Sequence, residues 1–99
     1  MTIQEAIEQC QNVQVDQYLS FKFSYKGKDG PKTYELISSK YGINSEPLMS
    51  VSEGGWRSMN VLKTTKQYIT LYDYNMMGVR SNYKMAIDKI QVIEETTRS

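Results

Sequence analysis

The chain contains the stretch Leu19-Ser20-Phe21-Lys22-Phe23-Ser24-Tyr25-Lys26, followed directly by Gly27-Lys28-Asp29-Gly30-Pro31. Apolar and polar side chains alternate through the first part, which predicts a β-strand with one buried face. The Asp-Gly pair suits the positive φ of a tight turn, and Pro31 cannot donate a ladder hydrogen bond. We therefore predict a β-hairpin whose second strand covers residues 33–37.

A short amphipathic helix is predicted before this hairpin. Thr2 and Glu5 have the spacing of a capping box. Apolar residues then recur at the helical period at Ile3, Ala6, Ile7 and Cys10. We expect the helix to end near Asn12 and to dock on the rest of the chain, because a helix this short is unstable alone.

Short strands are also predicted after the hairpin. Apolar residues within 48–51 and 59–61 indicate two strands, and residues 68–72 indicate a stronger one. Residues 83–93 fit either a helix or two short strands around a turn at Asp88-Lys89. The β-branched residues of this segment favour strands.

The length of 99 residues is typical of one domain. The predicted fold class is mainly β (α+β), with a short N-terminal helix followed by a five- to six-stranded antiparallel barrel of the SH3-like or Sm-like kind. A barrel is favoured because closure removes exposed sheet edges. We assign residues 1–12 to the helix, 13–95 to the barrel and 96–99 to a frayed tail.

The bulk properties exclude several classes of protein. A net charge of +1 provides no general field that would attract DNA or an anionic membrane. No stretch approaches the roughly 18 apolar residues of a membrane helix, and the first residues lack the features of a signal peptide. The single cysteine, Cys10, favours a reducing compartment. We therefore expect a cytoplasmic protein without membrane contact.

The order of these elements resembles that of WYL-type domains, small SH3-like barrels of bacterial regulators, and is similar to that of the YolD-like proteins. Three stretches carry the resemblance: the helix running into residues 19–30, the strand Tyr68-Ile69-Thr70-Leu71-Tyr72-Asp73, and the closing segment 80–90. The chain departs from the family pattern at Gln67, where the family has tryptophan, and in the greater length of residues 38–66.

This resemblance implies a ligand site. Arg80 and Lys89 match basic positions that WYL-type barrels are thought to use for anionic ligands or nucleic acid, and Tyr68 and Tyr72 lie on the matching strand. An arginine fork can bind phosphate at two points, and a tyrosine ring can stack on a base. The alternative is solvated charges beside core tyrosines.

The sequence indicates no catalytic machinery. The absence of histidine excludes imidazole-based triads and histidine metal sites. Cys10 lies on the apolar face of the predicted helix, where we interpret it as a small buried side chain. Residues 27–32 lack the spacing of a phosphate-binding loop. We expect a protein that is not an enzyme, with no catalytic residue, metal or cofactor.

Two further sets of residues are candidates for surface roles. Trp56 and Arg57 follow two glycines and have the composition of an interface hot spot, although a tryptophan in the barrel core is the alternative. One face of the hairpin is expected to carry lysines that protect an edge strand. These are Lys22, Lys26, Lys28 and Lys32.

The sequence supports two functions from different classes. The first is binding of a protein partner as an inhibitor or adaptor, a class that includes many accessory proteins of phages and mobile elements. The alternative is a WYL-like regulatory module that binds a nucleotide or single-stranded nucleic acid. Near-zero net charge favours the first, and the closing segment favours the second. An unpaired edge at residues 33–37 would also favour a homodimer.

Overall fold

A capping box begins the N-terminal helix, α1 (Ile3–Gln11), as predicted. The Thr2 hydroxyl accepts a hydrogen bond from the Glu5 N–H, and the Glu5 carboxylate accepts one from the Thr2 N–H, both at 3.2 Å. The helix ends at Asn12, its C-cap. This computed structural model describes residues 1–28, 30–54, 57–74 and 80–98, with the backbone alone at 74, 80, 81 and 92–98.

Seven strands follow the helix in the described residues. They are β1 (Tyr18–Gly27), β2 (Gly30–Ser39), β3 (Leu48–Glu53), β4 (Arg57–Thr64), β5 (Tyr68–Tyr74), β6 (Arg80–Ala86) and β7 (Ile90–Arg98). A 3₁₀-helix, η1 (Ile87–Lys89), joins β6 to β7. Their order in the sheet is β6-β5-β4-β3-β2-β1-β7, and neighbouring strands pair antiparallel. The sheet therefore forms a nearly closed barrel with β6 and β7 at its edges.

The predicted fold class is confirmed, although the barrel has seven strands instead of five or six. Both halves of residues 83–93 belong to strands, and the predicted turn at Asp88-Lys89 lies in η1. The expected frayed tail is wrong for residues 96–98, because Thr96 pairs with Ser20 on β1. Ser99 lies outside the described residues.

The register of the first hairpin corrects the predicted lysine face. Gly27 pairs with Gly30, so Lys32 lies opposite Tyr25. Side chains that pair directly across two strands share a face, which places Lys32 on the inner face with Tyr25. Lys22 and Lys26 lie on the outer face and Lys28 in the turn. The four lysines therefore do not form one surface.

Residues 34–37 do not form the unpaired edge that would favour a homodimer. Strand β2 pairs with β1 on one side and with β3 on the other, so that Leu36 lies opposite both Phe21 and Val51. The backbone groups on both sides of residues 34–37 are therefore occupied. A homodimer cannot form by pairing through this strand.

One hydrophobic core fills the barrel, and α1 covers one of its ends. The core consists of inward side chains of the described strands together with residues outside the sheet: Ile3, Ala6, Ile7 and Cys10 of the helix, Val13 after it and Ile87 of η1. A buried hydrogen bond joins the two parts, in which the Ser38 hydroxyl donates to the Cys10 carbonyl at 2.7 Å. None of the described helices is long and apolar enough to cross a membrane.

Candidate functional site

The structure divides the four predicted ligand residues between two places. Tyr68 pairs with Ala86, directly before η1, which contains Lys89. Arg80 instead pairs with Tyr74 at the other end of β6. Ala86 is six residues further along β6 than Arg80, which corresponds to about 20 Å. Tyr68 and Lys89 therefore share a site from which Arg80 is distant. Tyr72 pairs with Asn82 and lies between this site and Arg80.

Tyr68 and Lys89 both line an open groove of about 1110 Å³. Three segments form its walls: residues 1–4 at the start of α1, residues 66–68 between β4 and β5, and residues 86–91 around η1. We refer to it below as the η1 groove. Large concave sites of this kind are the first places to look for a ligand.

The η1 groove combines an exposed aromatic ring with several lysines. Tyr68 is 43% exposed. Lys66 and Lys89 line the groove, and Lys84 Nζ lies 5.6 Å from the centre of the Tyr68 ring. Asp88 is the one acidic side chain among the lining residues. The local charge is therefore positive, although the whole chain is nearly neutral.

Hydrogen bonds hold the groove wall that carries Tyr68. The Tyr68 N–H donates to the Thr65 hydroxyl at 2.9 Å, and the Tyr68 carbonyl accepts from the Thr65 N–H at 2.9 Å. The Ile87 N–H donates to the Gln67 carbonyl at 2.9 Å, which ties this turn to η1. The backbone that carries Tyr68 is therefore fixed without a ligand, which lowers the entropic cost of binding.

The start of α1 adds little attraction for an anion, although it forms one wall of the groove. The Glu5 carboxylate lies 3.2 Å from the Thr2 N–H, and the Thr2 hydroxyl occupies the Glu5 N–H. These contacts satisfy two of the free donors at the helix start with groups of this same chain. The lysines therefore supply the positive character of the groove.

A second polar site, which we call the charged cluster, lies at the opposite end of β2 from the Ser38–Cys10 contact and consists of Lys32, Glu53, Arg57 and Asp73. Arg57 donates to Asp73 Oδ2 through Nη2 at 2.6 Å and through Nε at 2.9 Å. The Glu53 carboxylate lies 3.5 Å from Arg57 Nη1 and 3.4 Å from Lys32 Nζ. Two cations thus balance two anions.

Tyrosines surround the charged cluster. The Tyr34 ring stacks on Phe23 with centres 5.6 Å apart and meets Tyr25 edge-on at 6.4 Å. Burial, assisted by the negative charge of Glu53, raises the pKa of Tyr34 to about 12. Burial is also the main cause that raises the pKa of Tyr83. Both phenols therefore stay neutral at physiological pH, and the buried Tyr34 acts as a packing group.

The predicted protein interface falls only partly within the described structure. Trp56 lies outside the described residues, so its role stays a prediction. Arg57 forms ion pairs with Glu53 on β3 and Asp73 on β5, and its hydrogen bonds to Asp73 raise its pKa. These contacts give Arg57 a role in holding three strands together, which the composition of residues 54–57 does not reveal.

Sequence reasoning missed an apolar surface in the connection between β2 and β3. Tyr41 and Ile43 are each 81% exposed, and Leu48 is 57% exposed. The turn between them is ordered by Ser45, whose N–H and hydroxyl both donate to the Gly42 carbonyl, at 3.0 and 2.7 Å. The sequence contains a signal for this surface, because Tyr41 and Ile43 flank Gly42 in an otherwise polar connection.

The described residues show neither a reactive cysteine nor a cluster of metal ligands. Cys10 is fully buried, and burial raises the pKa of its thiol to about 12, against a smaller lowering effect of the hydrogen bond with Ser38. No three acidic or cysteine side chains of the described ranges come close enough to hold a metal ion. Comparisons with family models, curated proteins and solved structures found no match to this chain.

Proposed function

We propose that this protein is a non-enzymatic binding module whose η1 groove takes a nucleotide unit, either free or within a single-stranded nucleic acid. One observation carries the proposal: the exposed ring of Tyr68 lines the same groove as Lys66 and Lys89, and Lys84 Nζ lies 5.6 Å from the centre of that ring. A base can stack on a tyrosine face, while lysines attract the phosphates. The resemblance to WYL-type barrels supports an anionic ligand as well, although Arg80 lies too far away to share this site.

Titration of a fluorescently labelled oligothymidylate of about twelve nucleotides tests the proposal by anisotropy. Three phosphate contacts predict a slope of roughly −2 when the logarithm of the association constant is plotted against the logarithm of the salt concentration. Tyr68→Ala should weaken binding about 5- to 150-fold, because stacking contributes roughly 1–3 kcal/mol per base. Lys89→Gln should make the salt slope shallower by about 0.7.

Lys28→Gln is the matched control, because Lys28 is an exposed lysine in the β1–β2 turn, outside the η1 groove. It should leave both the affinity and the salt slope unchanged. Titration with a mononucleotide distinguishes a free nucleotide from a strand as the ligand. Absence of binding of either probe up to about 100 µM, the weak limit of non-specific affinity, would exclude this function.

We also propose a second function, binding of a protein partner as an inhibitor or adaptor. The exposure of Tyr41 and Ile43 favours it, because large apolar side chains grouped on a surface mark interaction sites. This surface and the η1 groove share no residue. Size-exclusion chromatography with light scattering on the purified protein, alone and with candidate partners, measures whether a complex forms. Loss of the complex in the Ile43→Ser variant would link it to this surface.

A further inference from the structure

The outer side of β5 continues the η1 groove along the barrel wall. Ile69 and Leu71 of this strand are buried in the core. Side chains alternate between the two sides of a strand, so the residues beside them face outward. These are Tyr68, Thr70 and Tyr72. Tyr68 is exposed and lines the η1 groove, and Tyr72 is half-buried. One tyrosine of this face therefore belongs to the groove, and the other lies beyond it.

Two lysines lie on this face between the tyrosines. Thr70, midway between Tyr68 and Tyr72, pairs with Lys63 of β4 on one side and with Lys84 of β6 on the other. Both lysines are exposed, and side chains that pair directly across strands share a face. Lys84 Nζ also lies 5.6 Å from the centre of the Tyr68 ring, so the lysine row adjoins that ring. We call the outer surface from Tyr68 to Tyr72 the β5 path.

The far end of the β5 path is polar and uncharged. Asn60 of β4 and Asn82 of β6 pair with Tyr72 on its two sides, and both are exposed. Their amides can donate hydrogen bonds to a base or a phosphate. Asp73, the next residue of β5, alternates to the other side of the strand, where Arg57 holds it at 2.6 Å. The path therefore offers rings, cations and amides, and its paired residues include no carboxylate that would repel phosphates.

The spacing of the two tyrosines sets the shortest ligand that reaches both. Tyr68 and Tyr72 are four residues apart on one strand, which corresponds to about 13 Å. A nucleotide repeat has six backbone bonds, twice as many as an amino-acid residue, and therefore spans at most roughly 7 Å. One nucleotide step is too short to join the two positions. Bases stacked on both rings therefore require at least three consecutive nucleotides.

We propose that the protein binds single-stranded nucleic acid along the β5 path, with one base stacked on Tyr68 and a second on Tyr72. The intervening nucleotide passes between Lys63 and Lys84, which attract its phosphates. This inference rests on the proposed function of the η1 groove and selects a strand over a free nucleotide as its ligand. Every base has a π-face, so the stacking tolerates different sequences.

A length series of oligonucleotides tests the inference. Oligothymidylates and oligouridylates of one to six nucleotides compete with the labelled oligothymidylate, and anisotropy gives each Kd. We expect the trinucleotide to bind about 5- to 150-fold tighter than the dinucleotide, which is the gain from one further stacked base. The step from one to two nucleotides should be smaller, because it adds a phosphate but does not reach the second ring. The series that binds more tightly identifies DNA or RNA as the ligand.

Variants of Tyr72 separate stacking from added charge. Tyr72→Ala should make the trinucleotide bind no tighter than the dinucleotide and leave the mononucleotide Kd unchanged. Tyr72→Phe keeps the ring and should retain the gain. Tyr41→Ala is the matched control, because it removes an exposed ring outside the β5 path. It should change none of these values. Circular dichroism verifies that each variant is folded, and the length series on the unmodified protein does not depend on any variant.

The results that overturn the inference differ from those that overturn the proposed function. Equal affinity at all lengths, or a gain at three nucleotides that persists in Tyr72→Ala, refutes the β5 path. If Tyr68→Ala still weakens the mononucleotide in that case, the η1 groove keeps its proposed function. If no oligonucleotide of either series binds, the groove and the path are refuted together.

Discussion

Replacing Ser38 with alanine should weaken the attachment of α1 to the barrel. Ser38 is fully buried, and its hydroxyl donates to the Cys10 carbonyl at 2.7 Å. Cys10 belongs to the last four residues of α1, whose carbonyls have no partner within the helix. The alanine variant would leave this acceptor buried without a donor.

The expected loss follows from the cost of that unsatisfied acceptor. A net hydrogen bond contributes about 0.5–1.5 kcal/mol, and a buried polar group left without its partner costs about 1–3 kcal/mol. We therefore expect the free energy of unfolding to fall by about 2 kcal/mol. In a domain of this size, each kcal/mol corresponds to roughly 4–8 °C, so Tm should fall by roughly 8–16 °C.

Urea unfolding followed by far-ultraviolet circular dichroism measures this loss. Ser58→Ala provides the control, since Ser58 is an exposed strand serine on β4 and should change stability by less than about 0.5 kcal/mol. A smaller m value in Ser38→Ala would show that the helix is already detached in the native state. If the two variants lose the same small amount, the hydrogen bond does not anchor α1 and the reasoning is refuted.

Three further predictions concern Cys10, Tyr34 and Arg57. With a thiol pKa of about 12, Cys10 should resist iodoacetamide at pH 8 and react only after unfolding in urea; rapid labelling of the native protein would contradict its burial. Because the pKa of Tyr34 is raised from 10.0 to about 12, the stability from its neutral form persists below pH 10 and is lost as the pH rises towards 12. Tyr34→Phe should reduce this alkaline loss in pH-dependent melting curves, and superimposable curves would count against the shift. Arg57→Met should destabilise the fold by about 2–3 kcal/mol in urea, because the largely buried carboxylate of Asp73 loses its ion pair with Arg57, while Glu53 keeps only its contact with Lys32. Arg57→Lys should recover part of the loss, and no loss in either variant would show that the pairs are unimportant.

Local patterns predicted the elements of this fold well. The capping box of Thr2 and Glu5, the hairpin after Tyr25 and the strand at residues 68–72 all follow from neighbouring residues, which is why the sequence alone identifies them. The two strands in residues 83–93 were favoured for the same reason, because β-branched side chains dominate there. Short-range propensity and alternation therefore predicted the fold class.

Contacts between distant strands were beyond such patterns. The pairing of Arg57 with Asp73 depends on how β4 and β5 align, and that register includes an irregularity between Val61 and Lys63. The separation of Arg80 from Lys89 depends on the length and direction of β6. Lys32 lies on the same face of the hairpin as Tyr25 because the hairpin register sets the parity of β2. Each depends on three-dimensional alignment, which composition and spacing do not specify.

The pairing of β7 with β1 determines when the barrel can close. Tyr18 lies opposite Arg98, so this contact joins residues separated by almost the whole sequence. Closing so long a loop costs entropy that local contacts do not offset, which places the β1–β7 pairing late in folding and slows it. During synthesis, β1 and β2 can form their hairpin early, while the other edge of β1 stays unpaired until β7 has been made. That unpaired edge can associate with strands of other molecules during this time.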